Sequence, residues 1–228
     1  MERRFRLPIL TLSALLILAL LQIDAQASVI PVGIAAFPAG PPAVDFSNLA
    51  DGTEVNGLTV NGFMFSYVVG GSPLNGSVII DGGPGTTNNI MPPNIVSTPT
   101  GNITGTLFVS LPGFVDTFGY GYAILTTQTV ANATTISVFN DAVNLGTLSY
   151  VGTPDPVFAG GFAGIQSTVF FNRVGISFNS AAASAFALDN IRVATVIPEP
   201  SGIVLVASGL AALSILRRIK AKAGSVCA

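Results

Sequence analysis

Eight carboxylates and four tyrosines are the side chains of the central region (residues 28–197) that could do chemistry, and no histidine occurs in the 228 residues. The lack of histidine removes Ser-His-Asp triads, Cys-His pairs and His-ligated zinc or copper. The single cysteine, Cys227, is second from the end and beyond a basic cluster, so it fits neither a nucleophile nor a prenylation box. Paired carboxylates stay open as a catalytic chemistry, since glycosidases flank the scissile bond with two acids roughly 5–10 Å apart. The acids are Asp45, Asp51, Glu54, Asp81, Asp116, Asp141, Asp155 and Asp189. Asp51 and Asp81 precede glycine and Asp155 lies between prolines, so turn duty is the better reading of these three. Tyr120 and Tyr122 share one face of an expected strand. They form either an aromatic shelf for a sugar or, the stronger reading, packing between sheets. There is no tryptophan to serve as a platform.

The elements that must position these groups read as strands. Short β-rich runs alternate with turn dipeptides such as Asp51-Gly52, Asn56-Gly57 and Asn61-Gly62, which favour the positive φ of type I′ turns. Strands are expected over 43–46, 63–69, 78–80, 103–111, 118–125, 134–139, 148–151, 168–171, 174–178 and 186–193. Ile136 with Val138 and Ile176 with Phe178 keep the period of two that half-buried antiparallel strands require. Residues 81–93 read as a loop, and 181–187 as at most one helical turn. The fold class is therefore all-β, an antiparallel two-sheet sandwich. Arg173 and Arg192 against eight acids leave this region a net charge of −6, which excludes nucleic acid as a partner.

Both ends carry apolar runs with basic flanks. Arg3, Arg4 and Arg6 precede an apolar stretch closed by Ala25-Gln26-Ala27, a small-x-small cleavage pattern. Residues 1–27 thus read as a signal peptide helix, an uncleaved anchor being the lesser reading. Residues 28–42, rich in proline and glycine, read as a leader into the domain over 43–195. Near the C-terminus, Ile203 to Leu216 holds no charge and ends at Arg217, Arg218 and Lys220. As a helix it reaches roughly 21 Å, short of the ~30 Å hydrocarbon core. Snorkelling basic side chains extend that reach, and the positive-inside rule puts residues 223–228 in the cytoplasm. A single transmembrane helix over 202–216 follows. An amphipathic docking helix fits less well, because the run has no polar face.

Pro198-Glu199-Pro200-Ser201, then this apolar run and the basic stop at Arg217, Arg218 and Lys220, resemble the PEP-CTERM sorting signal of Gram-negative bacteria. The resemblance makes 196–222 a sorting signal and exosortase, a membrane transpeptidase-like enzyme, the partner. It implies export through the inner membrane, transient anchoring, and delivery to the cell surface or extracellular matrix. Asp45-Phe46 with Leu49 to Val55, Pro92-Pro93-Asn94, and Leu188-Asp189-Asn190-Ile191 resemble the jelly-roll domains that precede such tails. In such sandwiches the first and last strands lie side by side and a structural calcium can bridge them. Here Asp45, Asp189 and Asn190, with Asp51 as a further oxygen donor, would be its ligands. The other reading of Asp189-Asn190 is a strand-end cap. The function expected is a non-enzymatic surface or matrix protein that binds exopolysaccharide. The alternative is a secreted lectin or a weak carboxylate-based glycan-active enzyme.

Overall fold

Burial alternates along Phe63–Val69, Val78–Asp81 and residues 106–110, whereas residues 116–124 are buried throughout. In the computed structural model, which describes residues 27–82 and 90–195, the elements are β1 (Val29–Pro31), a 3-10 turn (Ile34–Ala36), β2 (Thr59–Val60), β3 (Phe63–Val69), β4 (Ser72–Pro73), β5 (Val78–Asp81) and β6 (Asn94–Ser97). Then follow β7 (Thr106–Ile124), β8 (Val130–Asn140), β9 (Val143–Pro154), β10 (Ala159–Phe178) and β11 (Phe186–Ala194). All pairings are antiparallel and join into one 11-stranded sheet whose main path is β5-β6-β11-β7-β10-β8-β9. β7 and β10 pair from Ala159↔Ile124 to Ser177↔Thr106, with register breaks between Gln166 and Arg173. At the breaks both strands bend, and each strand half gains different outer neighbours. The first half of β7 lies beside β3, and the second half beside β11. The second half of β10 lies beside β8, which pairs with β9.

The two halves of the bent sheet face each other across the core. Tyr67 of β3 meets Phe186 of β11 with ring centroids 6.4 Å apart, and Phe178 stacks on Phe186 at 4.1 Å. Phe46, Phe65, Phe118, Phe171, Ile136, Leu107 and Leu188 fill the same space, each at most 1% exposed. Burial of this many large apolar side chains, each worth about 1.5–3 kcal/mol, stabilises the bent sheet without any disulfide. The expected all-β, antiparallel architecture holds. The two layers are halves of one hydrogen-bonded sheet, joined through β7 and β10.

Several boundaries differ from expectation, each for a physical reason. The runs at 103–111 and 118–125 form one strand, because Pro112-Gly113 falls at the bend, where no ladder partner is required. The runs at 168–171 and 174–178 join residues 159–167 in the same way. The stretch 43–46 makes an isolated bridge, Val44↔Ile191, which does set the early chain beside the last strand. Asn94–Ser97, unassigned in the sequence reading, forms β6. The expected leader over 28–42 joins the domain: Val29 pairs with Ser167, Val32 N–H donates to the Gly164 carbonyl (2.8 Å), and Phe37 is buried edge-on to Phe162. Asn61 and Gly62, both at positive φ, make the tight β2–β3 hairpin as anticipated. Among the described residues no helix is long and apolar enough to cross a membrane. Residues 1–26 of the signal peptide expected over 1–27, the sorting motif, the span over 202–216 and the basic stop lie outside them.

Candidate functional site

Four of the eight carboxylates tie turns and loops together. Asp45 Oδ1 accepts from the Ser47 hydroxyl (2.6 Å), and Asp51 Oδ1 accepts from Gly82 N–H (3.3 Å). Glu54 accepts from Asn56 N–H and Gly76 N–H (3.3 and 2.8 Å), and Asp141 Oδ1 accepts from the Asn172 amide (2.7 Å). The tyrosines are committed as well. Tyr120 and Tyr122 are core residues, so the shelf gives way to the packing reading. The Tyr122 hydroxyl donates to the Val151 carbonyl (2.8 Å). Tyr120 hydrogen-bonds Thr134 Oγ1 (2.6 Å), which itself donates to the Ser177 carbonyl (3.0 Å). Burial pushes Tyr122 and Tyr150 up to about 12, so both stay neutral donors.

Asp189 is different. It stands on β11, pairs with Gly121 of β7 and is 2% exposed. Continuing the β11–β6 register from Ala187↔Val96 and Leu188↔Ile95 sets it opposite Asn94, also 2% exposed. Met91 N–H donates to Asp189 Oδ2 (3.0 Å), whereas Asp189 Oδ1 and Asn94 Oδ1 are buried with no hydrogen-bond partner. Burial raises the Asp189 carboxyl from 3.8 to about 6; the Met91 and Asn190 N–H groups oppose the shift and the Asp45 carboxylate adds to it. Thus the structure brings the Asp45 charge within reach of Asp189. Asn190, at φ 54° in the β11 register break, offers the carboxylate a backbone N–H. Asn94 is the oxygen that sequence reasoning missed. Its only signal was its place after Pro92-Pro93. Among the described residues no three His, Cys, Asp or Glu side chains cluster to hold a metal. What fits a hard cation is the donor type: orphaned oxygens from one carboxylate and one amide, beside a second carboxylate.

A second arrangement lies on the outward face of the half built from β3, β7, β10, β8 and β9. Inward residues there are Phe65, Tyr67, Leu107, Val109, Val174, Ile176, Ile136 and Val138. Their neighbours along each strand point outward and line up in rows across the sheet. One row is Val68, Thr106, Ser177, Thr135 and Ser149, and the next is Ser66, Phe108, Gly175, Ser137 and Thr147. A third holds Met64, Ser110, Arg173, Phe139 and Asn144. Two cross-strand hydroxyl pairs, Thr135–Ser149 (2.9 Å) and Ser137–Thr147 (2.8 Å), stand on β8 and β9. Phe108 and Phe139, both partly exposed, tilt together with centroids 6.2 Å apart. Gly175 makes room for them: a Cβ there would come within 3.1 Å of Phe108 and 3.4 Å of Phe139. The Arg173 guanidinium lies 3.9 Å from the Phe108 centroid and 5.9 Å from that of Phe139. None of the fifteen positions in these rows is acidic.

No family model matches the chain, and no curated protein matches it. Among solved structures, a mutant of CBM29-2, a family 29 carbohydrate-binding module, aligns at TM-score 0.37 and 9% identity over 77% of this chain and 99% of that one. Another CBM29-2 mutant, complexed with cellulohexaose, aligns at TM-score 0.37 and 8% identity over 75% and 94%. The catalytic domain of a GH87 alpha-1,3-glucanase mutant in complex with nigerose aligns at TM-score 0.34 and 12% identity over 61% and 30%. Likeness this slight assigns no ligand to this chain.

Proposed function

We propose that this chain is an exported, non-enzymatic surface or matrix protein whose β-domain binds extracellular polysaccharide. The observation that carries the binding reading is the acid-free outward face on which Phe108 and Phe139 stand among Ser and Thr hydroxyls. Aromatic faces take the apolar C–H side of a sugar ring, and hydroxyls exchange hydrogen bonds with its rim. Rows of side chains running across five strands suit an extended polymer better than a small molecule. Catalysis is the weaker reading, because Asp45, Asp51, Glu54 and Asp141 bond to nearby loops and turns. The test is affinity electrophoresis of the full-length protein, in nonionic detergent, through gels containing neutral or acidic polysaccharides. Retardation that weakens in Phe108→Ala and Phe139→Ala is expected. Release of reducing sugar, abolished by one Asp→Asn change, would replace this reading with the enzyme.

Export and sorting rest on the terminal segments. Cleavage after Ala27 would free a mature chain starting at Ser28. Pro198-Glu199-Pro200-Ser201 would present the exported protein to exosortase while the 202–216 helix and Arg217, Arg218 and Lys220 hold it in the inner membrane. Replacing Pro198, Glu199 and Pro200 with alanine is expected to leave the protein in the inner-membrane fraction. Unchanged delivery to the surface would end the sorting proposal.

The same reading includes one structural calcium ion at Asp189. Asp189 Oδ1 and Asn94 Oδ1 supply buried oxygens in want of a partner, and Asp45 supplies the second charge. Backbone carbonyls or water would complete roughly six to eight ligands. Binding to the folded state alone raises its stability by mass action. The melting midpoint should therefore be higher in calcium than in chelator, and Asp189→Asn should remove the difference. Identical midpoints for the native sequence would refute the site.

A further inference from the structure

We infer that Arg173 makes the outward face selective for polysaccharides that carry carboxylates, its guanidinium pairing with a uronate group while Phe108 and Phe139 receive the sugar ring. This rests on the polysaccharide-binding reading and names the class of polymer bound. The central region has two cations against eight acids, so a cation stationed on a face without acids is a local reversal of sign. Arg192 is occupied elsewhere: its Nη1 donates to the Gly40 carbonyl (2.9 Å). The contacts of the Arg173 guanidinium among the described residues are the two rings. A contact with aromatic rings takes up none of the hydrogen-bonding capacity of the guanidinium N–H groups. Those groups form the fork that matches a carboxylate bidentately.

The neighbours suit a sugar acid. Phe108 and Phe139 flank the guanidinium, so a ring lying on them would bring a pendant carboxylate to it. The Thr135–Ser149 and Ser137–Thr147 pairs lie one to two strand spacings, about 5–10 Å, beyond β10. Hydroxyls at that distance can meet the next part of a polymer. The net charge of −6 disfavours a polyanion on the domain as a whole, so its binding depends on the local charge of Arg173.

The experiment compares polygalacturonate with the same polymer after carboxyl reduction, which replaces each carboxylate with a hydroxymethyl group and leaves the backbone unchanged. Both are titrated against the full-length protein in nonionic detergent. Tighter binding to the acid form is expected. Arg173→Ala should weaken it by about tenfold or more, the scale of a charge-assisted hydrogen bond, and leave binding to the reduced polymer within about twofold. Arg173→Lys, which keeps the charge and loses the fork, should fall between. Phe108→Ala should weaken both polymers. Equal binding of the two polymers, or an equal loss on both in Arg173→Ala with an unchanged melting midpoint, overturns the inference and leaves polysaccharide binding standing. Binding of neither polymer removes both readings.

Discussion

The carboxyl of Asp189 sits behind a polypeptide wall with one oxygen bonded and the other bare. Its ordinary value of 3.8 applies to the unfolded chain, and about 6 to the folded one. The folded state therefore binds the proton more tightly. Its contribution to stability is complete below about pH 4 and is lost as the pH rises through 6. Holding the group charged at neutral pH costs about 3 kcal/mol. In chelator, the denaturation free energy should fall between pH 4 and 7. Asp189→Asn should flatten that slope and exceed the native sequence at pH 7; a slope unchanged by the substitution would show that another group titrates. The core gives the opposite sign. Phe65 is fully buried and edge-on to Phe46 at 5.8 Å, so Phe65→Ala should lose about 3–5 kcal/mol in urea unfolding.

At the scale of elements, β1 and the turn after it hold the N-terminal chain onto β10. Phe37 anchors that segment against Phe162. Phe37→Ala should speed amide exchange at Val32, whose N–H bonds to Gly164, well before it affects exchange in β7. What the sequence reveals follows the range of the interaction. Phe63–Val69 and Phe186–Ala194 were legible because alternating apolar residues need only their own strand to be read. Val29–Pro31 was not, since proline and glycine around it signal a leader and only the partner strand supplies its hydrogen bonds. Residues 103–111 and 118–125 read as separate strands, whereas the two are one strand, Thr106–Ile124, that bends at Pro112-Gly113. The site shows the same divide. Asp45 and Asp189 were singled out by residue type, while Asn94 acquires its place from the β6–β11 register. Phe108, Phe139 and Arg173 come from three strands, and no local pattern links them before the strands pair.

At the scale of the molecule, the chain divides its charge by location. Seven of nine basic residues lie in the terminal segments, and the domain between them carries −6. Cleavage after Ala27 should give a surface-recovered protein whose N-terminal residue is Ser28, read by mass spectrometry of its terminal peptide. An intact Met1 on that protein would show an uncleaved anchor.

Thr106–Ile124 and Ala159–Phe178 each run through both faces of the domain. The remaining strands of the two faces are tied to each other through these two. Heat or a protease that frees one end of either strand withdraws support from both sides at once. Loss of order should thus be all-or-none, with the Phe108–Phe139 surface and the Asp189 region surviving or failing together.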